Sequence, residues 1–144
     1  LALDHIQDPR NLGAIVRSAA FFGVREVVVP ERRQVLLTEA SVATAQGGFA
    51  ITDLVCVVNL ARMLRELKDA GYWIVGTAVA GEPLARLVGA YKKVVLVLGA
   101  EDTGLSQLVR DLADRLAAIT GQGPGLQSLN VSVACGICLH ALTP

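Results

Sequence analysis

Aromatic side chains make up only 4% of this sequence, with one Trp, two Tyr and three Phe, and Met occurs once. Any core must therefore be built from Val, Leu, Ile and Ala, which suits a parallel sheet covered by helices. Charge of one sign is also missing. Thirteen basic and thirteen acidic side chains cancel to a formal charge of zero, so the basic excess that marks many nucleic-acid binders is absent from the sum. The three cysteines, Cys56, Cys135 and Cys138, are odd in number and sit in apolar contexts, which excludes a secreted disulfide scaffold. Cys135 and Cys138 form a C-x-x-C, but no second pair completes a tetrahedral zinc site, and His140 lies two residues on. All three read as small buried hydrophobes, with no metal. No basic-then-apolar signal segment opens the chain, and no apolar run approaches the ~20 residues of a membrane span. The longest, Val94 to Leu98, has the length of a strand. A cytoplasmic location without a membrane partner is expected. The start at Leu1, without Met and already inside an apolar pattern, is that of a domain cut from a longer chain.

What is present is 144 residues, 53% hydrophobic and 18% charged, enough for one domain with a self-sufficient core. Strand and helix patterns alternate. Residues 1–3, 26–29, 54–58, 72–77, 93–98 and 116–119 read as strands, and 12–22, 39–45, 60–70, 105–113 and 128–142 as helices. Asn11, Thr38 and Asn59 are placed to cap helices, and Gly23 and Gly71 to stop them. The pattern predicts a single α/β domain whose parallel sheet has helices on both faces. Ligands in such sheets bind beyond the carboxyl ends of the strands, so the loops 4–11, 77–83, 99–104 and 120–127 are where chemistry is expected.

Nucleotide motifs fail there. Gly76 to Gly81 has P-loop glycine spacing but is followed by Glu82-Pro83 rather than Lys. The first strand is followed by no glycine before Gly13, which removes a Rossmann fingerprint, and no G-x-S-x-G elbow is present. There remain polar residues in apolar surroundings: Asn11, Arg17, Glu101, Ser128 and Asn130. Singly, most have ordinary explanations as caps, solvated helix positions or turns. Asn130 fits these least, because an Asn among Val131, Val133 and Ala134 needs hydrogen-bond partners.

Three segments carry a resemblance. Asp8-Pro9-Arg10-Asn11-Leu12-Gly13-Ala14-Ile15-Val16-Arg17-Ser18-Ala19 resembles the first motif of the SpoU (TrmH) family of RNA ribose methyltransferases. Leu98-Gly99-Ala100-Glu101-Asp102-Thr103-Gly104-Leu105-Ser106 resembles the second, and Ser128-Leu129-Asn130-Val131-Ser132-Val133-Ala134-Cys135-Gly136-Ile137 the third. They occur in family order and span essentially the whole chain. Asn59 to Arg62 and Trp73 to Ala78 are most similar to the branch that methylates guanosine in bacterial 23S rRNA.

The resemblance implies a SPOUT architecture with a C-terminal deep trefoil knot, an obligate homodimer, and S-adenosyl-L-methionine as cofactor. It implies that residues 1–144 are the catalytic domain, without the N-terminal RNA-binding domain usual in the rRNA branch. The implied catalytic cluster is Asn11, Arg17, Glu101, Ser128 and Asn130, and the implied cofactor contacts are Thr77, Gly99, Ile119 and Leu129. Arg is effectively always protonated, so Arg17 is expected to steady a developing alkoxide or a phosphate while Asn11 and Asn130 orient the reacting groups. The final helix, apolar on more than one side through Val131, Val133, Ile137 and Leu139, must be buried, and a second chain is one way to bury it. One departure stands out: Ile119-Thr120-Gly121-Gln122-Gly123-Pro124-Gly125 replaces the family's Ile-Pro-Met and Gly with one residue more, and predicts weaker or more induced cofactor binding. Two rivals follow: a tRNA methyltransferase of the same fold, and a catalytically inactive RNA-binding or ribosome-assembly module. The RNA partner, rRNA before tRNA, is reconciled with zero net charge by the grouping of Arg10, Arg17, Arg25, Arg32 and Arg33 in and just after the first motif.

Overall fold

The computed structural model describes residues 1–31, 37–124 and 127–143; Arg32 and Arg33 of the basic group lie outside the described residues. Six strands form one parallel sheet: β1 (Ala2–Asp4), β2 (Glu26–Pro30), β3 (Asp53–Val57), β4 (Trp73–Pro83), β5 (Val94–Gly99) and β6 (Arg115–Ala118). Their spatial order is β3-β2-β1-β5-β4-β6. The helices are α1 (Pro9–Phe21), α2 (Glu39–Ala45), α3 (Leu60–Asp69), α4 (Gln107–Leu112) and α5 (Val131–Leu142).

Alternation along the strands divides the core in two. Leu3, Val27, Val29, Val75, Leu96 and Leu98 face one way and pack with Leu12, Ile15 and Val16 of α1 and Val131, Cys135 and Leu139 of α5. Ala2, Val28, Ile74, Val95 and Val97 face the other and pack with Leu60 and Leu64 of α3 and Val109 of α4. The expected α/β sheet with helices on both faces is therefore present. Gly13 is required by the α1–α2 packing, since a Cβ there would lie 2.3 Å from the Ser41 carbonyl oxygen.

Several local expectations change. The first helix begins at Pro9 with Asp8 as its cap, whose carboxylate accepts from the Arg10 N–H at 2.8 Å. Proline at the first helical position has no N–H to satisfy, so Asp8-Pro9 starts the helix and Asn11, expected as the cap, falls inside the first turn. The last helix starts at Val131 rather than Ser128, capped by Asn130, whose Oδ1 accepts from the Ser132 N–H at 2.9 Å. Cys56 is exposed, because β3 is an edge strand, whereas Cys135 and Cys138 are buried as expected. Burial pushes the Cys135 thiol up to about 12, helped by Cys138 beside it, and the Cys138 thiol up to about 11.

The largest difference is in β4, expected to stop at Thr77. Thr77 pairs with Ala117 of β6, the chain leaves the ladder, and Glu82 returns to the same Ala117. Residues 78–81 thus form a bulge at the carboxyl end of the sheet. Gly81 lets the strand return: a Cβ there would lie 2.5 Å from the Leu116 carbonyl oxygen. The start of this strand pair is clamped by Asp114, which accepts from the Ile74 N–H and pairs with Lys68 Nζ, each at 2.8 Å.

Candidate active site

The carboxyl ends of β1 and β5 lie side by side, with Asp4 in register with Gly99. From β1 the sheet extends through β2 and β3 in one direction, and beyond β5 it continues with β4 and β6, so loops diverge at this junction and leave a crevice. Two loops are fixed there by backbone packing. A Cβ on Gly99 would lie 2.3 Å from the Gly104 carbonyl carbon and 2.4 Å from the Leu105 nitrogen. The close approach that glycine permits at this position is therefore to the chain itself, which folds back through paired Ala100 and Gly104 hydrogen bonds of 3.1 and 2.9 Å. Asp4, 2% exposed, secures the far end of that loop by accepting from the Ser106 N–H at 2.7 Å, while its other oxygen meets His5 Nδ1 at 2.6 Å.

On this scaffold three distant side chains converge. Glu101 Oε1 accepts from Asn130 Nδ2 at 2.6 Å, from the Val131 N–H at 3.0 Å and from Asn11 Nδ2 at 3.4 Å. Asn130 Nδ2 also donates to Asn11 Oδ1 at 3.0 Å. The requirement that Asn130 find partners is met by a network joining the first turn of α1, the loop after β5 and the cap of α5. Glu101 Oε2 accepts no hydrogen bond from the described residues.

Beside the network lies a cleft of about 610 Å³, within the range of small-molecule sites. Thr77, Gly99, Ile119 and Leu129 all line it, as do Glu101 and Ser128. Ile119 is half-buried and Leu129 is 48% exposed, an apolar pair available to a flat ring. Thr77 Oγ1 donates to the Val97 carbonyl at 3.3 Å, so its hydroxyl already has one partner. Ala78, Val79 and Ala80 of the β4 bulge belong to the lining too, within the 77–83 segment where chemistry was expected, and so does Arg110 of α4, which sequence reasoning passed over. The signal for the bulge was Gly81; Arg110 carried none, being one Arg on a short helix. Of the 120–127 loop, Gly121, Gly123 and Gln127 reach the cleft, while Gly125 and Leu126 lie outside the described residues.

Arg17 does not join the network. Six residues along α1 from Asn11, it is displaced by about 9 Å along the helix axis and turned by about 120° around it. It is exposed, and its guanidinium makes no hydrogen bond or ion pair with the described residues.

The profile of the SpoU rRNA Methylase family matches residues 1–140. The chain belongs to this family. It is 45% identical over 140 residues to a 23S rRNA (guanosine-2'-O-)-methyltransferase of Coxiella burnetii, covering 97% of this chain and 56% of the relative. To the enzyme of the same description from Nitrosomonas europaea it is 46% identical, covering 96% of this chain and 53% of the relative. It thus spans about half the length of these curated relatives. Among solved structures, an AdoMet-bound rRNA methyltransferase from Sinorhizobium meliloti superposes with a TM-score of 0.85 at 30% identity, covering 97% of this chain and 53% of that one.

The cleft fits such a cofactor. Its apolar walls suit an adenine, and the Glu101 and Asp102 carboxylates in its lining suit a sulfonium and an ammonium.

Proposed function

We propose that this SpoU family chain is the catalytic domain of an RNA methyltransferase that transfers a methyl group from S-adenosylmethionine to the ribose 2'-hydroxyl of a guanosine in 23S rRNA. The observation that carries this reading is the convergence of Asn11, Asn130 and the Val131 N–H on one oxygen of Glu101, beside a cleft that fits AdoMet. Relatives at 45% and 46% identity supply the substrate assignment.

Thr77, Gly99, Ile119 and Leu129 would hold the cofactor, which supplies a methyl group made electrophilic by its sulfonium. The protein's own work is to orient a weak nucleophile and manage its proton. With Glu101 Oε1 occupied by three donors, Oε2 is the acceptor left for the ribose hydroxyl. Asn11 and Asn130 fix the rotamer of that carboxylate, so the hydroxyl meets an oxygen whose position is already determined. Ser128 offers a hydroxyl within the cleft that can donate or accept. Arg17, permanently charged, exposed and turned away from the Glu101 network within the chain, is left to meet a substrate phosphate.

The proposal includes a homodimer. Phe21 is 82% exposed, Val133 51% and Ile137 39%, on α1 and α5, which pack against each other and leave this apolar surface outward. It also includes the C-terminal deep trefoil knot. What supports it is that β6 lies at the sheet edge beyond β4, whereas α5 packs on α1 and β5. The enzyme would work in the cytoplasm, where ribosomal RNA is assembled, and no helix among the described residues is long and apolar enough to cross a membrane. Mapping ribose methylation in RNA from cells with and without the gene tests the function. Loss of one 2'-O-methylguanosine from 23S rRNA is expected. An unchanged rRNA map, or loss confined to tRNA, would refute the substrate.

A further inference from the structure

Arg110 lies on α4, exposed, and belongs to the cleft lining. Its guanidinium makes no hydrogen bond or ion pair with the described residues, whereas Arg62 pairs with Glu66 and Arg115 with Glu82. Among the described residues that line the cleft it is the single cation, and Glu101 and Asp102 are the anions.

The proposed cofactor carries the complementary pattern: a sulfonium and an ammonium, both cationic, and one carboxylate. The acidic pair answers the two cations. The carboxylate needs a donor of opposite charge, and the planar fork of an arginine matches it with two parallel N–H bonds. An RNA phosphate is the competing anion. Of the three side chains in the polar network, however, only Glu101 lines the cleft, while Asn11 and Asn130 stand outside the lining. Arg110 thus shares a lining with the walls assigned to the cofactor, among them Ala78, Val79 and Leu105, and with neither amide of the network that holds Glu101.

We propose that Arg110 binds the methionine carboxylate of S-adenosylmethionine and so selects a cofactor with an intact amino-acid tail. The assignment rests on the methyltransferase reading above and adds a binding residue that the family motifs do not contain.

Calorimetry on the full-length protein tests it without RNA or turnover. The ligands are S-adenosylhomocysteine and S-adenosyl-3-thiopropylamine, the same molecule without its carboxylate. Wild type should bind the first about 10-fold more tightly than the second, the scale of one charge-assisted pair. Arg110→Gln should weaken S-adenosylhomocysteine by about 10-fold and leave the amine within about twofold, and Arg110→Lys should restore part of the loss. Melting temperature should not move, because Arg110 holds nothing in the fold. Equal weakening of both ligands, or no weakening of either, would overturn the assignment. So would a loss of RNA affinity at unchanged S-adenosylhomocysteine affinity, which would give Arg110 to a phosphate. If wild type binds neither ligand, the methyltransferase reading itself fails and takes this assignment with it.

Discussion

Replacing Gly99 with Ala is the sharpest mechanical test of how the site is built. The new Cβ would stand 2.3 Å from the Gly104 carbonyl carbon, 2.4 Å from the Leu105 nitrogen and 2.6 Å from the Gly104 carbonyl oxygen. All three are backbone atoms, so no side chain can swing aside. Ordinary contact begins about 1 Å further out, and the 100–105 segment must move by that much or β5 must bend. Overpacking of this kind costs about 1–3 kcal/mol. For a chain of this size that lowers the melting temperature by about 3–10 °C. The displaced segment carries Glu101, so the carboxylate leaves its three donors and methyl transfer should fall by about 100-fold or more, as misplacement of a catalytic group by ~1 Å does. Gly123→Ala is the control: it also lies in the cleft lining, but its Cβ would meet nothing within 4 Å, and its stability should change by less than about 0.5 kcal/mol. Thermal melts and methyl-transfer rates on both variants decide the matter. A Gly99→Ala protein as stable and active as wild type would refute the view that this loop is held by backbone contact.

Other outcomes follow from the same structure. Glu101→Gln should lower kcat about 100-fold or more while Asn11 and Asn130 keep the fold's melting temperature nearly unchanged; comparable loss from melting alone would make Glu101 structural. The Asp114 carboxyl is subject to burial, which raises its pKa, but the Lys68 hydrogen bond, the Ile74 N–H and the charges of Lys68 and Arg115 outweigh that and hold it below the usual carboxylate range. Its stabilisation is therefore complete above the unfolded value of about 3.9 and is lost as pH falls through the lower folded value. Asp114→Asn should cost about 1–3 kcal/mol at pH 7 and flatten the decline in stability below about pH 4, checked by denaturant unfolding across pH. With Cys56 exposed and the buried Cys135 and Cys138 thiols raised to about 12 and about 11, a thiol reagent should label one cysteine in the native chain and all three in denaturant. The glycine-rich run Thr120 to Pro124 should lose chain freedom on cofactor binding, giving S-adenosylhomocysteine a negative heat-capacity change larger than its own buried area explains; tight binding without it would count against this reading.

Much of this was legible in the sequence because it is local. Asn59 and Thr38 cap their helices as spacing and residue type indicate, and Gly23 and Gly71 stop theirs with positive φ. Continuous apolar runs rich in β-branched residues located the strands, since burial on both faces removes the polar alternation. What escaped was set by tertiary contact. Ala80-Gly81-Glu82-Pro83 has the composition of a loop, and it rejoins the ladder only because β6 offers backbone at Ala117 and Ala118. Asn11 and Asn130 are 119 residues apart, and no periodicity shows that one will donate to the other. The motif resemblance named both, while the network shows what each amide does: both donate to Glu101 Oε1, Asn130 also donates to Asn11, and the Asn130 Oδ1 caps α5. Arg17 was grouped with them by motif, yet helix geometry turns it away from the network within one chain.

The central claim is that the Glu101 site and its neighbouring cleft transfer a methyl group to an RNA ribose. The most direct measurement incubates the full-length protein with methyl-labelled S-adenosylmethionine and 23S rRNA, then digests the RNA and identifies the labelled nucleoside. The account predicts label in 2'-O-methylguanosine, abolished in the Glu101→Gln variant. Label on a base, label only in tRNA, or undiminished label in that variant would contradict it.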